Sequence, residues 1–343
     1  MPPWLVKVAC VNPMRPFFLS RGACALIVVG LCLASAAVAA ERAQERASLE
    51  LLARMAKALS EREYEGTLVY LNGHHLSTLR IARRIKGDQA QESLLALNGP
   101  VRAVARGGRT VTCVLPDARL ISVPRHSAAM ATLHPSQLDV ERLRAYYLIH
   151  PLGRSRVAGR DTQVVGIIPK DDLRYGYRFF IDEQTGLPLK TDLMNSAAIP
   201  IEQVMFTQIE FLEKADDEAR ADAPARRSSV AAPPAGAPPA EGSEAADTTP
   251  WRFVALPAGY RLVAGDPPPG QAEGGRRWFM ISDGLSAVSV YIEPDQGHGF
   301  SGHRHVGAVN AAGRVVQGYQ VTVVGEAPLP TVQAIAEALE TQP

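Results

Sequence analysis

The stretch "RYGYRFFIDEQTGLPLKTDL", Arg174 to Leu193, has the pattern of two β-strands joined by a short turn. Because side chains alternate along a strand, Tyr175, Tyr177, Phe179 and Ile181 are expected on one face. A face this aromatic needs a cover, which helices of the same chain or a ligand would supply. The neighbouring segments "TQVVGIIPKD" and "PIEQVMFTQIEFL" are also strand-like, so this region predicts a hairpin-connected antiparallel sheet.

Further elements are predicted upstream. The segment "ERASLELLARMAKALSERE", which begins at Glu45, carries apolar residues at helical spacing. "TLVYL" and "STLRIARRI" read as strands, and Asn72-Gly73 between them favours a tight hairpin turn. "VRAVARG", "TVTCVLPD" and "RLISVP" are short β-rich runs, and residues 135–149 predict a second helix with Ser136 as its N-cap. Residues 41–213 are therefore predicted to form a large α+β domain.

The composition changes after the large domain. Residues 214–250 are rich in Pro and Ala and carry Val230 as their one large apolar side chain, so they predict a flexible linker. Residues 251–343 return to strand patterns, with Asp283-Gly284 as a hairpin turn. The last apolar pattern, "PTVQAIAEALE", predicts a helix with Thr331 as its N-cap. This part is predicted to be a smaller antiparallel sheet with a C-terminal helix.

Residues 1–40 have the pattern of a secretory signal peptide. A basic flank precedes the apolar run "ACALIVVGLCL", and small residues then permit cleavage after Ala39 or Ala40. Export of this kind takes the mature chain out of the cytoplasm. Of the 4 cysteines only Cys113 lies beyond this leader, so we expect no disulfide within the mature chain.

The stretch "GHGFSGHRH", Gly297 to His305, gathers histidines, but its pattern argues against catalysis. The glycines around Ser301 lack the Gly-x-Ser-x-Gly spacing of a nucleophile elbow. His303 and His305 have the spacing of two ligands on one face of a strand, but zinc sites normally use three or four. Arg304 between them opposes a bound cation. We therefore predict no catalytic, metal or cofactor site, and the net charge of +1 gives no drive toward nucleic acid.

Taken together, these segments resemble the bacterial periplasmic sigma-E regulatory proteins of the RseB and MucB family. In the large domain the resemblance is carried by "YYLIHPLGRSRVAGRDTQVVGIIPKDDLRYGYRFFIDEQTGLPLKTDL" and "IEQVMFTQIEF". In the small domain it is carried by "ISDGLSAVSVYIEP" and "GRVVQGYQVTVVGEAPLPTVQAIAEAL". The resemblance implies that the large domain is an open half-barrel like those of the lipoprotein carriers LolA and LolB.

The same resemblance implies a non-enzymatic function. Family members bind the periplasmic domain of an RseA- or MucA-like anti-sigma factor and shield it from the site-1 protease. Lipopolysaccharide or another lipid releases them, and the envelope-stress sigma factor is then freed. A second hypothesis is a periplasmic lipid or lipoprotein carrier that uses the same open barrel. The sequence leaves open whether the chain forms a homo-oligomer.

Two candidate sites follow from the resemblance and the strand pattern. A polar patch of His303, Arg304 and His305 is a candidate surface for the partner. An unclosed barrel also offers a concave apolar face to an acyl chain, and the alternative is that the same side chains pack against covering helices. The candidate lining residues are Leu68, Tyr70, Leu79, Ile81, Val111, Cys113, Tyr175, Tyr177 and Phe179.

Overall fold

A computed structural model of the chain describes residues 43–86, 89–99, 103–107, 110–114, 120–124, 140–212, 251–265, 277–297 and 299–341. The predicted signal peptide, the predicted linker and Ser136 lie outside these residues. Between 103 and 124 the strands are described by their backbone, so the side chains of Val111 and Cys113 also lie outside the description. Within the described residues, no helix has the length and apolar character needed to cross a membrane.

The described chain up to Leu212, here called the large lobe, is built on one 11-stranded antiparallel sheet. Its strands are β1 (Glu63–Asn72), β2 (His75–Lys86), β3 (Gln89–Ala96), β4 (Ala103–Gly107), β5 (Thr110–Val114), β6 (Leu120–Pro124), β7 (Tyr147–Val157), β8 (Arg160–Pro169), β9 (Gly176–Asp182), β10 (Pro188–Met194) and β11 (Pro200–Leu212).

The sheet is open but curled. Its strand order is β6-β5-β4-β3-β2-β1-β11-β10-β9-β8-β7, so β6 and β7 are the two edges. Although three strands separate β11 from β7 in this order, the two lie close in space. The guanidinium of Arg160 on β8 also lies 4.9 Å from the ring centroid of Phe211 on β11. The predicted fold, an open antiparallel sheet with helices, is confirmed for this part of the chain.

The turn that joins β9 to β10 is organised by Asp182. The Asp182 Oδ2 atom accepts hydrogen bonds from the backbone N and the Oγ1 of Thr185 at 2.8 and 2.7 Å. Arg160 donates two further bonds to the same carboxylate at 2.9 and 3.0 Å. Burial alone would raise the pKa of Asp182, but the bonds from Arg160 and Thr185 hold it below its ordinary value. The Asp-x-x-Thr-Gly pattern in the sequence is thus a turn signature with a structural cause.

Helix α1, residues 43–61, covers the apolar face of the sheet. Leu52 and Met55 are fully buried and belong to the same core cluster as Tyr177, Phe179 and Ile181. The rings of Tyr177 and Phe179 stack with their centroids 5.6 Å apart. The cover that the aromatic strand requires therefore includes a helix of the same chain.

Helix α2 (Val140–Tyr146) ends earlier than predicted, and the assignment of residues 147–149 to a helix was wrong. The chain becomes strand β7 at Tyr147, where Tyr147 and Ile149 are buried and Leu148 between them is exposed. That alternation is the period of a strand. The sequence "AYYLIH" is apolar at both periods, so periodicity alone did not locate the change.

The residues from Trp251 onward, here called the small lobe, form a six-stranded antiparallel sheet and a two-stranded ribbon. The order in the larger sheet is β13-β14-β15-β18-β17-β16, and β12 pairs with β19 in the ribbon. The elements are β12 (Trp251–Phe253), β13 (Arg261–Gly265), β14 (Arg277–Ser282), β15 (Ala287–Pro294), β16 (Gly302–Val306), β17 (Val309–Val316), β18 (Tyr319–Gly325), α3 (Leu329–Ala338) and β19 (Leu339–Thr341).

The small lobe confirms the predicted sheet and C-terminal helix but corrects one detail. Asp283 and Gly284 lie in the turn between β14 and β15, as their sequence indicates. Thr331 is not the N-cap of α3: the cap position is Pro328, which makes no side-chain capping bond. The Thr331 hydroxyl instead donates to the carbonyl of Leu173 in the large lobe.

Gly186→Ala should test the packing of α1 against the β9–β10 turn. Gly186 has φ +78°, and an added Cβ would lie 3.3 Å from the carbonyl oxygen of Arg54. Gly159, with φ +74° and nothing within 4 Å of an added Cβ, is a matched control. We expect each change to cost about 1–2 kcal/mol of the free energy of unfolding for the left-handed backbone, and Gly186→Ala about 1 kcal/mol more for crowding. Equal losses in urea denaturation would contradict this contact.

Candidate functional site

The predicted apolar face is assembled in the large lobe, and most of its described members are core residues. Leu68, Ile81, Tyr177 and Phe179 are at most 5% exposed and belong to one cluster. Tyr70, Leu79 and Tyr175 are partly buried and pack against that cluster. Val111 and Cys113 share strand β5 with their side chains outside the description. Whether an acyl chain enters among these residues remains a prediction.

Glu202 on β11 is buried at one end of this face and collects hydrogen bonds from both lobes. Tyr70 Oη donates to Glu202 Oε2, and Asn72 Nδ2 donates to Glu202 Oε1, each at 3.0 Å. The backbone N of Ala308 in the small lobe also donates to Oε1 at 3.0 Å. Burial, and then the nearby Glu202 carboxylate, raise the pKa of Tyr70 well above its ordinary value. We call Tyr70, Asn72, Glu202 and Ala308 the Glu202 cluster.

The turn between β16 and β17 reaches into the large lobe at the Glu202 cluster. Ala308 is fully buried and belongs to the apolar core of the large lobe. Gly307 has φ +59°, and a Cβ there would overlap the side-chain amide of Asn72, so the position favours glycine. Asn310 Nδ2 donates to Tyr175 Oη at 3.1 Å and to the carbonyl of Ala327 at 2.8 Å. Two predicted lining residues are therefore linked to the small lobe by hydrogen bonds: Tyr70 through Glu202, and Tyr175 directly through Asn310.

A second polar cluster between the lobes is centred on Arg174, whose side chain is completely buried. Its Nη1 lies 3.3 Å from Asp283 Oδ2 in the small lobe, and its Nε lies 2.9 Å from Asp171 Oδ1. The guanidinium also faces the rings of Tyr146, Tyr147 and Tyr260 at 4.7, 5.6 and 5.2 Å. Although burial alone would lower the pKa of Arg174, the bond to Asp171 and the neighbouring tyrosines and Asp283 raise it.

Asp283 is the partner of Arg174 and also organises the β14–β15 turn. Its Oδ2 accepts a hydrogen bond from Tyr147 Oη at 2.6 Å. Its Oδ1 accepts bonds from the backbone N of Leu285 and of Ser286, both at 2.9 Å. A residue that the sequence marks as a turn former therefore also joins the two lobes. We call Arg174, Asp283, Tyr147 and Tyr260 the Arg174 cluster.

Backbone contacts extend the Arg174 cluster. Tyr260 Oη donates to the carbonyl of Leu173 at 3.0 Å, and Arg142 Nη2 donates to the carbonyl of Gly259 at 2.6 Å. Gly259 has φ +84°, and a Cβ there would lie 2.8 Å from the ring of Tyr146. The backbone of the small lobe thus approaches the aromatic surface of α2 as closely as a glycine permits.

The predicted patch of His303, Arg304 and His305 lies on β16, at the edge of the six-stranded sheet. All five residues of this strand are exposed. Among the described residues, no three His, Cys, Asp or Glu side chains are grouped as metal ligands. The patch is placed on a surface that a partner can reach, and its contact with a partner remains a prediction.

Sequence reasoning missed both polar clusters. It placed Arg174 at the start of a strand pattern and assigned it no role, because a lone arginine is normally exposed. The one available signal was the concentration of "DDLRYGY" between two strands, with two acids, an arginine and tyrosines in a short connection.

The fold and the two polar clusters define a two-lobed protein. Its curled, open antiparallel sheet is joined to a smaller sheet through buried polar contacts. Two family models identify it further. The MucB/RseB N-terminal domain matches residues 47–224, and the MucB/RseB C-terminal domain matches residues 245–340. The chain therefore belongs to the MucB/RseB family, which confirms the resemblance found in the sequence.

Individual relatives agree with this assignment. The chain is 30% identical over 335 residues to the sigma factor AlgU regulatory protein MucB of Pseudomonas aeruginosa, covering 91% of this chain and 96% of the relative. It is 24% identical to the sigma-E factor regulatory protein RseB of Escherichia coli K12, covering 86% and 91%. Its structure is similar to MucB in the P. aeruginosa MucA/MucB complex, with a TM-score of 0.61 and 27% identity over 86% of this chain and 99% of that one.

Asp283→Ala should destabilise the protein strongly because it leaves Arg174 with a buried charge and fewer acceptors. We expect a loss of about 3–5 kcal/mol in the free energy of unfolding. The control is Glu340→Ala, which removes the carboxylate of the half-exposed Arg252–Glu340 pair, 3.7 Å apart; it should cost less than about 1 kcal/mol. Urea denaturation measures both, and losses of similar size would argue against a structural role for the Arg174 cluster.

Alkaline pH should unfold the protein through its buried tyrosines. Burial raises the pKa of Tyr147, Tyr177 and Tyr260 above the ordinary value, with a further contribution from Asp283. Since unfolded tyrosine ionises at about pH 10, the unfolded state releases protons above that pH that the folded state retains. The contribution of these tyrosines to the free energy of unfolding is therefore fully present below about pH 10, and it is lost as the pH rises further. Phenolate absorbance should titrate higher in the folded than in the urea-unfolded chain, and coincident curves would contradict the prediction.

Proposed function

We propose that this chain is a non-enzymatic negative regulator of envelope-stress signalling. In this proposal, the mature protein acts in the periplasm after removal of residues 1–40, binds the periplasmic domain of an anti-sigma factor and shields it from site-1 proteolysis. The observation that carries the proposal is that the family match extends over both lobes. The likeness to a MucB chain solved together with MucA supports the choice of partner.

Lipid is the proposed releasing signal, and the lobe contacts give it a physical route. Tyr70 and Tyr175 lie on the predicted lipid face and bond to Glu202 and Asn310. An acyl chain that moved these rings would disturb Ala308, which lies in the turn after β16, and Asn310, which lies on β17 just beyond that turn. Lipid shifts the complex only if it binds the partner-free form more tightly, and about 1.4 kcal/mol of difference changes partner affinity tenfold.

A lipid or lipoprotein carrier is the alternative function. A simple carrier needs only the curled sheet of the large lobe, whereas here buried hydrogen bonds join that sheet to a second lobe. This arrangement favours a regulator in which both lobes take part. Transfer of lipid between vesicles, without an effect on anti-sigma cleavage, would instead favour the carrier.

Protease protection tests the regulator directly. The mature chain is mixed with the periplasmic domain of its cognate anti-sigma factor and with the site-1 protease. We expect the chain to co-purify with the anti-sigma domain, to slow its cleavage, and to lose both effects when lipopolysaccharide is added. A detergent of similar acyl length controls for nonspecific disruption. Binding that is absent without lipid would refute the proposal, and protection that lipopolysaccharide leaves unchanged would refute the releasing role.

A further inference from the structure

Among the residues that the structure describes, strand β16 presents an open backbone edge. It pairs with β17 on one side and is the last strand of the six-stranded sheet. All of its residues are exposed, and Val306 is 77% exposed. An edge strand leaves alternate N–H and C=O groups without a ladder partner, so it can accept a further strand.

The edge is held rigidly at its N-terminal end. Gln320 Nε2 on β18 donates to the carbonyl of Phe300 at 3.0 Å. A Cβ on Gly313 of β17 would lie 2.9 Å from the Phe300 ring and 2.4 Å from its carbonyl oxygen, so the glycine lets Phe300 lie across the sheet. An added Cβ on Gly299 would overlap the side-chain amide of Gln320. These contacts fix the segment that enters β16.

The C-terminal end of the edge is held by the large lobe. Gly307 and Ala308 follow β16 directly, and Ala308 is bonded to Glu202 as a member of the Glu202 cluster. A strand anchored at both ends loses little conformational freedom when another strand adds to it. The edge is thus prepared for binding before a partner arrives.

Arg304, in the middle of β16, supplies the charge preference. Its guanidinium lies over the Phe300 ring, 5.4 Å from the centroid, which orients the side chain. In the part of the chain that the structure describes, Arg304 forms no ion pair with a carboxylate. Its cross-strand neighbour on β17 is Ala311, and His303 and His305 oppose Ala312 and Asn310. No acid on the paired strand neutralises the edge.

We propose that β16 binds an extended, acidic peptide segment by strand addition, with a carboxylate of the segment opposite Arg304. A second copy of this chain is a poor occupant, because antiparallel self-pairing centred on Arg304 places two arginines opposite each other, and like charges there are destabilising. That the segment belongs to the anti-sigma factor rests on the proposed function above.

Hydrogen exchange and a charge reversal test the proposal with the full mature chain. On addition of the cognate anti-sigma periplasmic domain, exchange of amides in residues 302–306 should slow about tenfold or more. Arg304→Glu should weaken binding of that domain roughly tenfold or more. Arg261→Glu is the matched control, because Arg261 is exposed on β13, the opposite edge strand of the same sheet. It should leave the dissociation constant unchanged.

A synthetic peptide of about ten residues that alternates Glu and Val, compared with its Lys and Val counterpart, separates the two proposals. If the acidic peptide slows exchange at residues 302–306 and the basic peptide does not, strand addition is supported. A failure of the anti-sigma domain to bind would then refute only the proposed function. If the anti-sigma domain binds without protecting these amides and Arg304→Glu binds like wild type, strand addition is wrong while the proposed function stands. Equal effects of both peptides would overturn the acidic preference.

Discussion

The arrangement of the two lobes depends on the buried contact between Arg174 and Asp283. Both side chains are completely buried, and a buried charge is costly unless it has a partner and further hydrogen bonds. Arg174 also bonds to Asp171, and Asp283 also accepts bonds from Tyr147 and from the β14–β15 turn. Burial of the two charges is tolerated because the lobes meet in a geometry that pairs Arg174 with Asp283.

A polar junction of this kind defines the relative position of the two lobes more than it strengthens their association. Opening it returns charged and hydroxyl groups to water, where they are well solvated, whereas opening an apolar junction exposes surface that water disfavours. The apolar part of the contact includes Ala308, which enters the core of the large lobe, and Leu285, which packs against that core. Such a junction is well suited to lobes that hold a defined position and yet separate when a ligand or partner favours another arrangement.

Local features of this fold could be predicted from the sequence because their causes are local. Gly73 and the Asp283-Gly284 pair lie in turns that their own backbone preferences favour, and Tyr177 and Phe179 share a face through strand alternation. The end of α2 at Tyr146 could not be located, since the following residues are apolar at both helical and strand spacing. Thr331 was assigned to capping because only its own segment was considered, whereas its hydroxyl bonds to Leu173 across the junction. The site depends on such distant pairs, and Arg174 and Asp283 are 109 residues apart.

The stretch "GHGFSGHRH" combines local sequence features with contacts to distant residues. Its histidines suggested chemistry, but its structural role comes from the residues around them: Phe300 supports Arg304, and Gly307 and Ala308 tie the end of β16 to Glu202. The exposed edge and the apolar face of the large lobe are therefore connected through one short turn. A ligand that moves Tyr70 must also change the bonding of Glu202, and with it the support of Ala308. Coupling between a lipid and a peptide partner then requires no long pathway, because the two proposed surfaces share that carboxylate.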